Sequence, residues 1–543
     1  MARKRYRRRQ AVPAPAVVEP RAPGALFRVC VTTALLAIYL GFLAHPIDLT
    51  VSDLGRHLKN GELFFQSGFI AETNLYAYTH PGHPFVNHHW GSGVIFYLLE
   101  RSIGFPGLSL FFLAVSAATL WLFFSLAARA GSFGLAVLLT LIVMPVLITR
   151  HEIRPELFSY LFGGLFMYLL WNHREGRLSG RRLWAVPFLQ VLWVNLHIYF
   201  FIGIFIVGVF LLEALVSRAA GQAPPSHGQG NPRKCLAAIL LATGAASCIN
   251  PAGLRGALYP LFIFQGYQFP VIENYSVPGI LKAGFQFLPL TYFMLIFGLL
   301  CLSWLYVGVK DRENFSLANL LLSLFFVAMA WSTIRNFALF AFFALPLTAA
   351  NLGRLGRGRS MRWLNTSSGI PLAAGAVALI LVLIKPEYFF SGGRGAFGIG
   401  IKAGNLAAAE FTRRENLQGP IFNSYDVGGY LIHALYPRER VYVDNRPEAY
   451  PAPFFAEDYF SLLANDDKWR GAAAGRGFQA IVINPAGRSV MTENFVIRRM
   501  LDADWAAVFY DRDLLFLARR FGANQPIIAK HELPREAVLQ RAE

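Results

Sequence analysis

SDLGRHLKNGELFFQSGFIAETNLYAYTHPGHPFVNHHWG, residues 52–91, begins with an acid a few residues beyond an apolar run and ends in Asn87, His88, His89 and Trp90. Apolar runs dominate the rest of the chain, so this polar stretch is a connector far longer than connection requires. Loops beyond roughly 12 to 15 residues are functional or disordered, and this one is too aromatic for disorder. Chemistry is expected in the loop, and the fold is expected around it.

The surrounding composition sets the class. With 55% hydrophobic residues, 15% charged residues and a mean hydropathy of +0.42, a soluble protein would present too much apolar side chain to water. The chain reads as a polytopic α-helical membrane protein. Its net charge of +18 resides in the tail MARKRYRRRQ and in short connectors between apolar runs, a pattern of membrane topology rather than of nucleic-acid binding. Cys30, Cys235, Cys248 and Cys301 lie in or beside apolar runs without paired spacing, which indicates neither a disulfide framework nor a cysteine zinc site.

About eleven spans are expected: 26–44, 108–128, 133–149, 157–172, 183–196, 198–217, 235–249, 288–307, 316–333, 336–352 and 368–385. Residues 1–25 read as a basic cytoplasmic tail, 26–385 as the transmembrane domain and 46–107 as its long first outer loop. The basic connectors at 173–182, 217–234, 310–312 and 353–362 then all fall inside, as the positive-inside rule asks. An odd number of spans puts residues 386–543 outside, in a bacterial periplasm or its equivalent, with the inner membrane as the location. Short β-like runs at 440–444, 479–484 and 505–520, the last turning at Asp511-Arg512-Asp513, alternate there with the helical EDYFSLLANDDKWRGAAAG and predict a small α/β domain. GSGVIFYLLERSIGFPG (91–107) fits either an amphipathic helix on the outer surface or an extension of the second span.

On this topology the polar residues gather at one face. Asp53, Arg56, His57, His80, His83, His88 and His89 lie in the first outer loop; Arg150, Glu152 and Arg154 lie in the second. Asn195 and His197 fall at the next outer turn, Glu273 in the loop after Asn250, and Arg335 at another outer turn. Ionisable groups at membrane depth are costly unless they face a cavity or a partner, so the gathering points to a polar site.

The segments GRHLKNGELFFQSGFI, YAYTHPGHPF, HHWG, RHEIRPELFSY, WVNLH, INPAG, FNSYDVGGYL and VYVDNRPEAY cover nearly the whole chain. Together they resemble the GT-C superfamily of integral membrane glycosyltransferases, in a bacterial branch related to protein O-mannosyltransferases and aminoarabinose-type lipid A transferases. The resemblance implies a polyprenyl-phosphate-linked sugar donor and a lipid, glycan or protein acceptor presented from the outer side. It implies Asp53 as the general base of an inverting transfer, and Arg154 and Arg335, with Arg56 and Arg150, as ligands of the departing phosphate. His57, His88, His89, Trp90, Glu152, Asn195, His197 and Glu273 are the candidate substrate contacts, an indole face suiting a sugar ring.

Each role has a plainer competitor. Asp53 or Ser52 suits an N-cap for the following helix, and each arginine suits snorkelling to headgroups. The superfamily pattern of paired acids is not met, since Leu54 and Gly55 follow Asp53. No cofactor is assured; a divalent metal on His80, His83, His88 and His89 is the alternative to hydrogen bonding. Asp426, Asp444 and Arg446 suit turn and ion-pair roles. A transporter or flippase, or a non-catalytic envelope assembly protein, remains open, although no internal repeat accompanies the one-sided polarity.

Overall fold

The computed structural model describes residues 23–219, 231–263, 272–284, 287–384, 397–485 and 490–542. Most of the basic tail and the connector at 220–230 lie outside the described residues.

A helix lies over each of the eleven apolar runs: α1 (Ala25–Leu43), α3 (Trp90–Ala130), α4 (Phe133–Leu147), α5 (Glu156–Arg174), α6 (Ala185–Leu196), α7 (Phe201–Ala219), α8 (Pro232–Ala246), α11 (Leu288–Lys310), α12 (Leu317–Ser332), α13 (Phe337–Asn351) and α15 (Gly369–Ile384). Shorter helices fill the connections: α2 (Leu54–Ser67), α9 (Gly253–Leu258), α10 (Val277–Ala283) and α14 (Gly353–Arg357). Among the described residues, five helices are long and apolar enough to cross a membrane: α1, α3, α11 and the segments Ile198–Ser217 and Ile334–Asn351. The protein is a polytopic helical membrane protein.

Helix α13 is apolar all round and every one of its side chains is buried, so protein surrounds it. Its phenylalanines key into the neighbours: Phe337 stacks on Phe293 of α11 at 4.1 Å and Phe343 on Phe326 of α12 at 3.7 Å. Helix α1, by contrast, buries mainly Leu35, Tyr39 and Leu43 and leaves the rest of its surface outward.

Residues 91–107 are helical and continuous with the second apolar run. Helix α3 runs unbroken in sequence but bends at Gly104, whose φ of 68° is a conformation that glycine alone adopts cheaply. Its first half packs against α2. There Gly61 faces Gly93 so closely that a Cβ on Gly61 would collide with the Gly93 carbonyl oxygen.

The C-terminal part carries a four-stranded sheet, β1 (Ile421–Asn423), β2 (Ala480–Ile483), β3 (Trp505–Tyr510) and β4 (Leu515–Arg519), in the order β1-β2-β4-β3. Strands β1 and β2 are parallel and the other pairs antiparallel. The 479–484 run and the 505–520 hairpin form as expected; Asp511 accepts the Asp513 and Leu514 amides and so makes the turn. The run at 440–444 is not a strand. Its amides are taken by Tyr76 O and by the Asn423 side chain, leaving one isolated bridge, Ala77 to Val441. The remaining strand of the four is instead β1, Ile421–Asn423, whose three residues are too short a run to announce themselves.

Because successive helices alternate in direction, the segments at 45–90, 148–155, 197–200, 249–263, 272–284 and 333–336 meet at one end of the bundle. The C-terminal domain follows α15 at that same end. Arg446 binds Asp444 through two contacts of 2.7 and 2.6 Å, both side chains fully buried, and also Asn74 of the first loop at 2.9 Å. The ion-pair role expected of Asp444 and Arg446 is the one observed, and it ties the two parts of the molecule together.

Candidate active site

Asp53 immediately precedes α2, yet its side chain makes no cap bond, and Ser52 Oγ instead donates to the Asp48 carbonyl at 2.9 Å. The capping alternative therefore fails for both. The Asp53 carboxylate, about one-third exposed, accepts from Asn445 Nδ2 at 2.6 Å and lies 3.6 Å from the buried Arg56 guanidinium. Arg56 Nε also donates to Asn445 Oδ1 at 3.4 Å, so the asparagine clasps acid and cation at once. Asn445 is a site residue that sequence reasoning missed. Its signal is its place in VYVDNRPEAY, between the charged Asp444 and Arg446.

Near Asp53, three guanidiniums from two turns converge on one carboxylate. Glu273 accepts from Arg150 at 3.3 Å, from Arg154 at 3.0 and 3.2 Å, and from Arg335 at 3.1 Å. Arg154 also chelates Glu152 at 2.7 and 2.6 Å, and Arg150 lies 3.4 Å from Glu156 and donates to the Arg335 carbonyl at 2.7 Å. Burial opposes ionisation of Glu273, but Arg154, Arg150 and Arg335 hold its carboxyl far below the usual range. The Arg154 guanidinium is likewise held charged against burial by Glu152 and Glu273, with Asp53 contributing. The field of Asp53 thus reaches this cluster.

Beneath the two lies a set of buried imidazoles. His57 and His89 meet edge-on at 5.4 Å, His88 and His89 lie 3.9 Å apart, and His89 stacks on His197 at 5.1 Å. Burial lowers all four, His88 to about 4 and His57, His89 and His197 well below the ordinary range, with Arg56 or Arg335 nearby adding to the effect. They are neutral at physiological pH. Ser159 Oγ, itself accepting from Trp193, and the Tyr199 amide both approach His197 Nδ1, which places the proton on Nε2. His57 keeps both ring nitrogens, and His89 its Nε2, buried without a hydrogen-bond partner among the described residues.

Other predicted residues are differently engaged. Trp90 Nε1 donates to Asn195 Oδ1 at 2.8 Å and its ring packs on Phe64 at 5.0 Å; Asn195 in turn binds the Val191 and Ile249 carbonyls. Their hydrogen-bonding capacity pins α3 to α6 instead of being turned to a sugar. The four histidines weighed as a metal set are divided, because His80 packs against the Tyr450 and Phe454 rings while His88 and His89 join the imidazole stack. Among the described residues no three His, Cys, Asp or Glu side chains gather as a metal site.

No family model matches the sequence, and no curated protein matches it. Solved structures do share the fold. An oligosaccharyltransferase of Archaeoglobus fulgidus in the apo form superposes with a TM-score of 0.57 at 13% identity, over 85% of this chain and 70% of that one. The same organism's AglB, in complex with an inhibitory peptide and a dolichol-phosphate, gives 0.57 at 11% identity over 92% and 75%. ArnT from Cupriavidus metallidurans gives 0.48 at 14% identity over 91% and 97%. With its helix bundle and its appended domain at one end, the chain shares its fold with these archaeal oligosaccharyltransferase structures.

Proposed function

We propose that the protein is a membrane glycosyltransferase that moves a sugar from a polyprenyl-phosphate donor to an acceptor at the end of the bundle occupied by its C-terminal domain. The observation that carries the reading is the pairing of a partly open carboxylate, Asp53, with a three-guanidinium cradle at Arg150, Arg154 and Arg335. An acceptor O–H or N–H attacks the anomeric carbon, its proton passes to Asp53, and the bond from carbon to phosphate oxygen breaks. In-line displacement inverts that carbon. Asn445 and Arg56 orient the base, and the guanidiniums take the charge that develops on the leaving phosphate. The dolichol-phosphate bound by AglB, a protein of the same fold, supports a carrier of this chemistry.

Glu273 occupies the cradle before the phosphate arrives and keeps three cations close together at rest. The neutral imidazoles of His57, His88, His89 and His197 form a floor that adds no charge beneath the sugar. The inner membrane, with the C-terminal domain in the periplasm, is the location that the positive-inside rule supports.

The test is transfer by the purified protein in nanodiscs, given labelled polyprenyl-phosphate sugars and a crude envelope acceptor. Wild type is expected to turn over, and Asp53→Asn to lose about two to four orders of magnitude in rate while still binding polyprenyl phosphate. Turnover that survives unchanged in Asp53→Asn removes Asp53 as base; solute flux through sealed vesicles without transfer favours a transporter.

A further inference from the structure

The turn between α4 and α5 presents its side chains to two sides. Arg150 and Arg154 point to the Glu273 side, whereas His151, Glu152 and Ile153 line a separate cavity of about 300 Å³. Leu43 at the end of α1, Phe112 and Leu113 of α3, and Ile399 form its apolar walls. Its polar side is built from Asp48, Glu152 and Lys402 with two histidines, His45 and His151, whose rings lie 5.0 Å apart. Ser52 and Leu54 also line it, so Asp53 stands on the boundary between this space and the guanidinium cradle.

The cavity and the cradle differ in charge. Among the described residues no arginine lines the cavity, and Lys402 is already held by Asp48 at 2.9 Å and Asp513 at 2.5 Å. Glu152 is likewise paired with Arg154, so the described lining offers an anionic group no unpaired lysine or arginine, and the cradle's arginines draw it instead. The apolar walls come from α1 and α3, two helices that are long and apolar enough to cross a membrane. An occupant therefore enters with part of its body at bilayer depth, where hydrocarbon is favoured and a peptide backbone is costly.

Resting on the transfer reaction proposed above, we infer that this cavity holds the acceptor, and that the acceptor is an amphiphile. A hydrocarbon portion lies against Leu43, Leu113 and Ile399, and a neutral or cationic head bearing a hydroxyl or amine reaches past Ser52 towards Asp53. Phosphate chemistry stays with the arginines on the far side of the turn.

The experiment uses the full chain in phosphatidylcholine nanodiscs with two probes of equal chain length, decylamine and decyl phosphate, read by thermal stabilisation. Decylamine is expected to stabilise wild type, and Leu113→Trp, which fills the cavity, to weaken its apparent affinity about tenfold or more. Ile399→Trp at the half-exposed rim repeats the test where folding is not at risk. Decyl phosphate should respond equally in wild type and both tryptophan variants, and lose its effect in Arg335→Gln. A decylamine response indifferent to both tryptophans overturns the inference, as does enzymatic transfer onto a soluble peptide that Leu113→Trp leaves untouched; in the latter case the transfer reaction itself stands. A tryptophan-sensitive decylamine site in a protein that transfers no sugar overturns the reaction alone.

Discussion

Replacing Glu273 with alanine tests the cradle directly. The cluster balances three guanidiniums, Arg150, Arg154 and Arg335, with three carboxylates, Glu152, Glu156 and Glu273. The substitution removes one of the three negative charges and all four hydrogen bonds that Glu273 accepts. Breaking a fully buried pair costs about 3 to 5 kcal/mol and an exposed one about 0 to 1; Glu273 and Arg335 are each about one-third exposed and the other two arginines less so. The loss expected is about 2 to 3 kcal/mol. An anion that fills the gap returns stability as RT ln(1 + [L]/Kd), about 2.7 kcal/mol at a hundredfold excess over Kd. Thermal unfolding of Glu273→Ala in nanodiscs should show a lowered midpoint that inorganic phosphate or decyl phosphate restores, with a dependence on concentration at least about tenfold more sensitive than in wild type. Wild type must surrender its own carboxylate first. Equal phosphate response in the two proteins, or a variant as stable as wild type, would refute Glu273 as the resting occupant of the cradle.

Asn445→Ala should lower kcat about tenfold without changing polyprenyl phosphate binding, because Asp53 loses the hydrogen bond that orients it. Gly55→Ala should reduce both stability and transfer, since its Cβ would lie 2.5 Å from the Gly429 carbonyl oxygen and drive α2 from the segment that carries Asn445. Stability should fall as pH drops from about 6.5 to about 4. His88 binds a proton in the unfolded chain across that window and not in the native one, worth about 1.4 kcal/mol per pH unit, about 3 kcal/mol in all. His57, His89 and His197 act in the same direction. Unfolding midpoints flat across that pH range would sink the buried-imidazole reading.

Helix positions were legible because eleven apolar runs are separated by charged or glycine- and proline-rich connectors, a signal that needs no tertiary information. The strand expected at 440–444 was not, because its β-branched pattern is satisfied by Tyr76 and Asn423, partners remote in sequence. Site residues divide in the same way. Asp53 and the arginines stand out as charges at membrane depth, while Asn445 is neutral, ordinary in composition and important only through a contact. Trp90 and Asn195 show the opposite case: residue types suited to sugar contact bond to each other through their polar atoms. Asp48 and Lys402 went unnoticed because each looks like a solvated loop charge until the chain brings them together.

The Asn445–Asp53 bond spans 392 residues of chain. At about 5 to 20 residues per second of synthesis, the acid emerges roughly 20 to 80 seconds before the amide that orients it. A nascent chain therefore holds this acid without its clasp for that whole interval. Under the transfer proposed above, completion of the C-terminal domain is the step that arms it.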